Sequence, residues 1–255
     1  MAIRLHGVPL SQPFRSVAWA LLQKRLPFDF KMAVPGSSRK GGTGSEDFLE
    51  LNPTGNVPFL EHGQTRISEA PAILAYLCQS NGWTDLYPYD TAGPLKAKID
   101  EYCHWHHGNI RQLAAAYFAP LVRPDLPADP SQLQSFRTRS TRALGLLETA
   151  WLADSPFIGG ADQFTIADLM AYEEVGELAP HFMNLVSYQP YPKIKSWMSR
   201  MQQAPYHTEA HAALYAMGDL SSVLPGDKQL MKLVGTASKA GMVALSSAIE
   251  PTSRL

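Results

Sequence analysis

Strand signals stop near residue 81 and do not return, and this constrains the fold more than any other feature. Before that point, short apolar runs alternate with helical patterns. Residues 2–5 and 28–34 read as strands. Residues 13–24 (PFRSVAWALLQK) read as a helix, with apolar positions three and four apart and proline in the first turn. Residues 57–61 and 64–67 flank His62-Gly63 as the arms of a hairpin, and a helix is expected over 69–81. The loop at 35–45 is rich in glycine and serine.

From residue 93 onward only helical periodicity remains, at 94–117, 131–152, 165–178, 191–203 and 208–217. Four prolines between 120 and 130 predict a loop ordered by polyproline II geometry. The spacing therefore divides the chain into an α/β unit over 1–81, a linker at 82–92 (GWTDLYPYDTA) and an all-α unit over 93–217. A C-terminal extension follows over 218–255, with a helical pattern near 227–245. The order βαβ then ββα is the thioredoxin-like plan, here followed by a helical bundle.

A chain of 255 residues can hold one large domain or two modest ones with a core each, and 45% hydrophobic with 18% charged residues is an ordinary globular mixture. A formal net charge of -1 gives no general attraction to nucleic acid or anionic membrane. No run approaches the roughly 18 apolar residues of a membrane span, and the N-terminus lacks a secretory pattern. Cys78 and Cys103 form no CxxC motif and read as free thiols. His104, His106 and His107 do not share one helix face, so no metal site is expected. Thr165-Ile166-Ala167-Asp168 reads as a variant capping box worth about 1 kcal/mol, with Asp168 structural rather than catalytic.

LNPTGNVPFL at 51–60 resembles the NPxGxVPxL segment of glutathione transferases, and SEAPAILAYL at 68–77 resembles the helix start that follows it in that family. FIGGADQFTIADLMAY at 157–172 is similar to the family's capped sixth helix. PLSQPFRS at 9–16, DEYCHWHHGNIR at 100–111 and YPKIKSWMSRM at 191–201 look like theta-class patterns. The resemblance covers roughly residues 2–217.

Its implication is an enzyme that joins the thiol of glutathione, a cosubstrate rather than a resident cofactor, to a small electrophile. In the family, a cis Val57-Pro58 bond would turn the Val57 backbone outward to pair with the cysteinyl backbone, as a strand added to a sheet edge. Glu69 would take the γ-glutamyl ammonium, and the Ala70 N–H, at a helix N-terminus, its carboxylate. Ser11 would donate to the sulfur. A thiol with a pKa of about 8.5 is only a few per cent ionised near pH 7, and a donor to the thiolate lowers that value. Lys40 and Asn56 lie where relatives contact the glycyl end. Arg111 would stabilise thiolate or leaving-group charge, or else form an ion pair, and His106 and Tyr117 are candidates for the electrophile pocket. Arg15 is expected to support the joint between the two units rather than touch sulfur.

Two positions depart from the pattern: Ala70 stands where most relatives have serine, and Thr43 where KGxH has histidine. The resemblance also implies a homodimer, a cytoplasmic location and a C-terminal extension covering the electrophile site. Ser253-Arg254-Leu255 is close to the SKL peroxisomal address. A narrower glutathione-dependent dehalogenase or isomerase stays open, as does a non-catalytic binding or assembly module.

Overall fold

A computed structural model describes residues 2–91, 93–123, 126 and 129–249; the tripeptide Ser253-Arg254-Leu255 lies outside them. Strand β1 (Ile3–Gly7) leads through helix α1 (Gln12–Gln23) to β2 (Phe28–Met32), which pairs with β1 in parallel. Strands β3 (Phe59–His62) and β4 (Thr65–Ser68) form the expected hairpin, with Gly63 at φ 63° in its turn. Strand β3 pairs antiparallel with β1, placing Leu60 opposite Leu5, and the sheet order is β2-β1-β3-β4. Helix α3 (Ala70–Asn81) ends on Gly82 in the left-handed conformation that glycine adopts readily. This is the thioredoxin-like arrangement.

Between β2 and β3 lies a helix the periodicity did not predict, α2 (Glu46–Leu51). Ser45 caps it by accepting from the Phe48 N–H, and Glu46 and Asp47 complement its dipole. Six residues are too few to show a 3.6-residue period.

The expected helix over 94–117 is broken. Helix α4 (Pro94–Gly108) stops where Asn109 leaves helical geometry (φ -127°, ψ -87°) and donates from Nδ2 to the Trp105 carbonyl at 2.8 Å. A wide helical turn (Ala114–Phe118) then runs into α5 (Ala119–Val122). The polyproline expectation for 120–130 is corrected at both ends. Pro120 sits in the first turn of α5, and Pro130 starts α6 (Pro130–Leu146) beside its cap, Asp129. Proline suits a first helical turn because its missing N–H would have no partner there.

Helix α6 continues as a wide turn (Leu147–Trp151), and α7 (Ile166–Val175) continues as a tight turn (Gly176–Leu178). Helix α8 (Pro192–Met201) follows. The pattern at 208–217 is split into α9 (His207–Ala210) and α10 (Ala212–Met217), and the tail forms α11 (Lys228–Ile249). Among the described residues no helix is long and apolar enough to cross a membrane.

One buried cluster runs from the sheet through α1 and α3 into α7 and α8, and a smaller one gathers Ala33, Phe48 and Phe59. Polar anchors cross the same joint. The Trp19 indole donates to the Pro205 carbonyl at 2.8 Å. Arg15, fully buried on α1, pairs with Glu173 and with Glu177, each at 2.6 Å. His211 meets the other oxygen of Glu173 at 3.0 Å. The tail helix returns to the sheet end of the molecule: a Cβ on Gly241 would lie 2.5 Å from Pro9 Cβ and 2.9 Å from Ala213 Cβ, so only glycine lets α11 seat so closely. Cys78 and Cys103 are free and buried, and burial pushes both thiols up to about 12, which leaves them unreactive.

Candidate active site

Two cavities meet at Asn56, Val57 and Arg111. The smaller, of about 240 Å³, lies between the start of α3 and the helical half. Its walls include Val57, Pro58, Glu69, Ala70, Arg111 and Glu174. The larger, of about 1360 Å³, opens beside it between Ser11, the loop at 34–44, residues 111–123 and the inner face of α11. Together they hold most of the residues picked from the sequence.

Ser11 is half-buried at the N-terminal edge of α1, where its extended backbone (φ -82°, ψ 120°) places it in the N-cap position. Its side chain makes no capping hydrogen bond, and the residue lines the larger cavity. Next to it, Gln12 is buried and committed: its amide donates to Glu177 at 2.8 Å, and its oxygen accepts from Arg111 at 3.1 Å.

The Val57-Pro58 bond is cis, and the hydrogen-bonded register of β3 begins only at Phe59, so Val57 lies beyond the ladder. The loop before it is organised by Asn52, a residue that sequence reasoning missed. Buried Asn52 accepts on Oδ1 from Thr54 Oγ1 at 2.8 Å and from Ser68 Oγ at 3.0 Å, and donates from Nδ2 to the Asn56 carbonyl at 2.8 Å. The Ser68 hydroxyl is thereby engaged away from the cavity. An asparagine inside a turn-like NPxG string carries no periodic signal of such a role.

Glu69 adopts φ 69°, ψ 115°, a left-handed conformation that costs a non-glycine residue about 1–3 kcal/mol. The conformation sets the exposed Glu69 at the mouth of the smaller cavity, directly before Ala70 and the N-terminus of α3. Nothing in the sequence marked this backbone strain.

Arg111 borders both cavities, and its Nη1 meets Glu174 Oε1 at 2.5 Å. It therefore makes the ion pair and faces the cleft as well, where the sequence had left these as alternatives. His106 is buried on α4 and borders the smaller cavity rather than the larger one. Burial and the neighbouring Arg111 hold its pKa well below the usual imidazole value, so it is neutral at pH 7.

Tyr117 borders neither of these cavities and is half-buried against the core, with Arg137 over its ring at 6.0 Å. Positions 111, 115, 118 and 122 share the cavity-facing side of the winding chain, and Tyr117 falls off that stripe. Lys40 is exposed and also borders neither cavity. Thr43 is buried, accepts from the Gly36 N–H at 3.0 Å and closes the loop on itself.

A family model described as the N-terminal domain of glutathione S-transferase matches residues 5–83. The chain is 30% identical over 226 residues to glutathione S-transferase theta-2 of Homo sapiens, covering 85% of this chain and 88% of that relative. It is 30% identical over 239 residues to theta-1 of Bos taurus, covering 91% and 96%. Identity to glutathione S-transferase T2 of Arabidopsis thaliana is also 30%, over 258 residues and 94% of this chain, although the match spans only 40% of that relative's length. Among solved structures, a human theta-class glutathione transferase in complex with the glutathione conjugate of 1-menaphthyl sulfate superposes with a TM-score of 0.73 at 25% identity, covering 98% of both chains. Human glutathione-S-transferase T1-1 in its apo form shares the fold, with a TM-score of 0.71 at 24% identity, covering 98% of this chain and 100% of that one. The chain belongs to the glutathione S-transferase family and is similar to its theta class.

Proposed function

We propose that this protein conjugates glutathione to small electrophiles by nucleophilic substitution or addition, with the thiol activated by the Ser11 hydroxyl. The observation that carries the reading is the placement of Ser11: a hydroxyl that does not cap its own helix, on the wall of a large apolar cavity that Val57 and Arg111 also border. A thiolate seated there would gain a charge-assisted hydrogen bond of about 1.5–3 kcal/mol. That corresponds to about one to two pKa units off the thiol. No protein nucleophile is needed, because the reacting sulfur belongs to the cosubstrate.

The larger cavity suits a negative leaving group. Among its described lining residues are Arg111, Arg123 and Lys239, and no aspartate or glutamate. Charge developing on a departing halide or sulfate would be favoured beside them. A homodimer and a cytoplasmic location belong to the same reading. Light scattering of the purified protein tests the first, and the position of a fluorescent fusion in cells tests the second.

The experiment is a thiolate titration near 240 nm with bound glutathione, for wild type and Ser11→Ala. The expected wild-type pKa lies about two units below the free thiol and returns most of the way in the variant, with conjugation slowed about 10- to 150-fold. The second reading, a non-catalytic binding module, draws on exposed Lys40 and on Thr43 turned toward Gly36, which leave the glycyl end short of donors. Absence of saturable glutathione binding would favour it.

A further inference from the structure

Ser11 is flanked by two anchors, and both lead to the same carboxylate. On its C-terminal side, Gln12 donates from Nε2 to Glu177 Oε1 at 2.8 Å. On its N-terminal side, the Pro9 carbonyl accepts from Arg15 Nη1 at 3.3 Å, and Arg15 Nη2 donates to Glu177 Oε2 at 2.6 Å. Glu177 lies in the tight turn that follows α7, so the helical half holds the segment 9–12 at both ends. Gln12 and Glu177 are 5% and 1% exposed and Arg15 is wholly buried, so water competes little for these bonds.

The Gln12 amide has a single orientation. Arg111 can only donate, so the amide oxygen must face it, and the NH₂ is then turned to Glu177. Ser11 itself is tied down through its backbone: its N–H donates to the Val8 carbonyl at 2.9 Å, and its carbonyl accepts from the Arg15 N–H at 3.0 Å. Its side chain makes no capping bond, so the aim of the hydroxyl follows from the backbone on either side of it. Glu177 borders neither cavity, and its contacts reach the Ser11 segment instead.

We propose that Glu177 is a positioning residue for Ser11: by holding Gln12 directly and Pro9 through Arg15, it keeps the Ser11 hydroxyl aimed at the thiol. This rests on the thiol activation by Ser11 proposed above. A misplacement of about 1 Å in a reacting geometry can cost about 100-fold in rate, so a clamp on this segment has a measurable effect. The charge of Glu177 acts in the opposite sense. A buried carboxylate near a thiolate disfavours ionisation, so removing that charge lowers the thiol pKa, whereas losing the aim of Ser11 raises it. The sign of the shift separates the two.

The test titrates the thiolate of bound glutathione near 240 nm and measures conjugation in wild type, Glu177→Gln, Ser11→Ala and the double variant. Glu177→Gln should raise the bound-thiol pKa by about one unit and slow conjugation at pH 6.5 about 5- to 10-fold, with the glutathione Kd within about twofold of wild type. Added to Ser11→Ala, the same substitution should produce no further rise, because the group it positions is gone. A rise of equal size in both backgrounds, a fall, or no shift in the single variant would each overturn the assignment. A Ser11→Ala protein whose bound thiol keeps the wild-type pKa would remove the underlying reading, and this one with it. Should Glu177→Gln fail to fold, Gln12→Met cuts one anchor and leaves the Arg15–Glu177 pair in place. A rise in Gln12→Met that vanishes without Ser11 supports the clamp, and an unchanged pKa in Gln12→Met refutes it.

Discussion

Replacing Asp168 with alanine takes away one side chain and leaves three fixed donors in the core with nothing to bond. Its Oδ2 accepts from the Thr165 N–H at 2.8 Å and from the Thr165 hydroxyl at 3.1 Å. Its Oδ1 accepts from the Ile158 N–H and from the Trp197 indole, both at 2.9 Å. Asp168, Ile158 and Trp197 are wholly buried and Thr165 nearly so, so water does not replace the carboxylate. The hydroxyl can rotate toward another acceptor, whereas the two amides and the indole cannot. Each orphaned donor costs about 1–3 kcal/mol, and the losses do not add fully, so the expected destabilisation is about 3–5 kcal/mol. A capping box alone would lose about 1 kcal/mol. For a chain of this size the larger figure lowers the melting temperature by roughly 10 °C. Asp168→Asn keeps the volume but turns an NH₂ toward two of the donors, and it should recover less than half of the loss. Urea unfolding followed by tryptophan fluorescence measures both variants. If both fall within about 1 kcal/mol of wild type, Asp168 is only a cap, and the wider anchoring role is wrong.

Arg15→Met strands Glu173 and Glu177 beneath the sheet unit without their guanidinium, and the expected loss is about 3–5 kcal/mol by the same unfolding assay; a loss under about 1 kcal/mol would contradict it. Gly241→Ala drives a methyl into Pro9 and displaces α11, at about 1–3 kcal/mol. Limited proteolysis should then cut the tail faster, and the electrophile KM should rise while the glutathione KM holds. Burial pushes His181 down to about 4 and His207 down to about 3, from an unfolded value near 6.5. Below about pH 6.5 the unfolded chain therefore binds protons that the folded chain refuses, and stability present above that pH drains as pH falls toward 4. Each group contributes up to about 1.4 kcal/mol per pH unit, or roughly 1–2 kcal/mol in all after allowing for partial solvent access. His207→Gln, which can keep a hydrogen bond to Tyr172, should flatten this slope between pH 6.5 and 4; identical slopes would refute the assignment.

Local chemistry made much of the fold readable before any coordinates. The hairpin around Gly63, the helices α1 and α3 and the cap at Thr165 follow from turn residues, 3.6-residue spacing and side-chain acceptors, all of which act over a few positions. The same range of action explains the misses. Helix α2 is too short to show a period, and the break at Asn109 interrupts a run whose apolar spacing continues on both sides of it. For the candidate site, Ser11, Val57-Pro58, Glu69 and Arg111 stood out as residue types in a recognisable string. Their arrangement around two adjoining cavities did not, and neither did the separation of Lys40 and Tyr117 from them.

Glu174, Asn52 and Asp168 show where the division falls. By itself the sequence determined that Asp168 could cap a helix, because that bond closes within three residues. Only tertiary packing decided that its other oxygen would hold Ile158 and Trp197, ten and twenty-nine positions away. In the same way, packing alone set Glu174 against Arg111, with one oxygen left over. Propensity and pattern act through the nearest neighbours in the chain. A buried charge is stabilised or orphaned by whatever the whole fold brings to it.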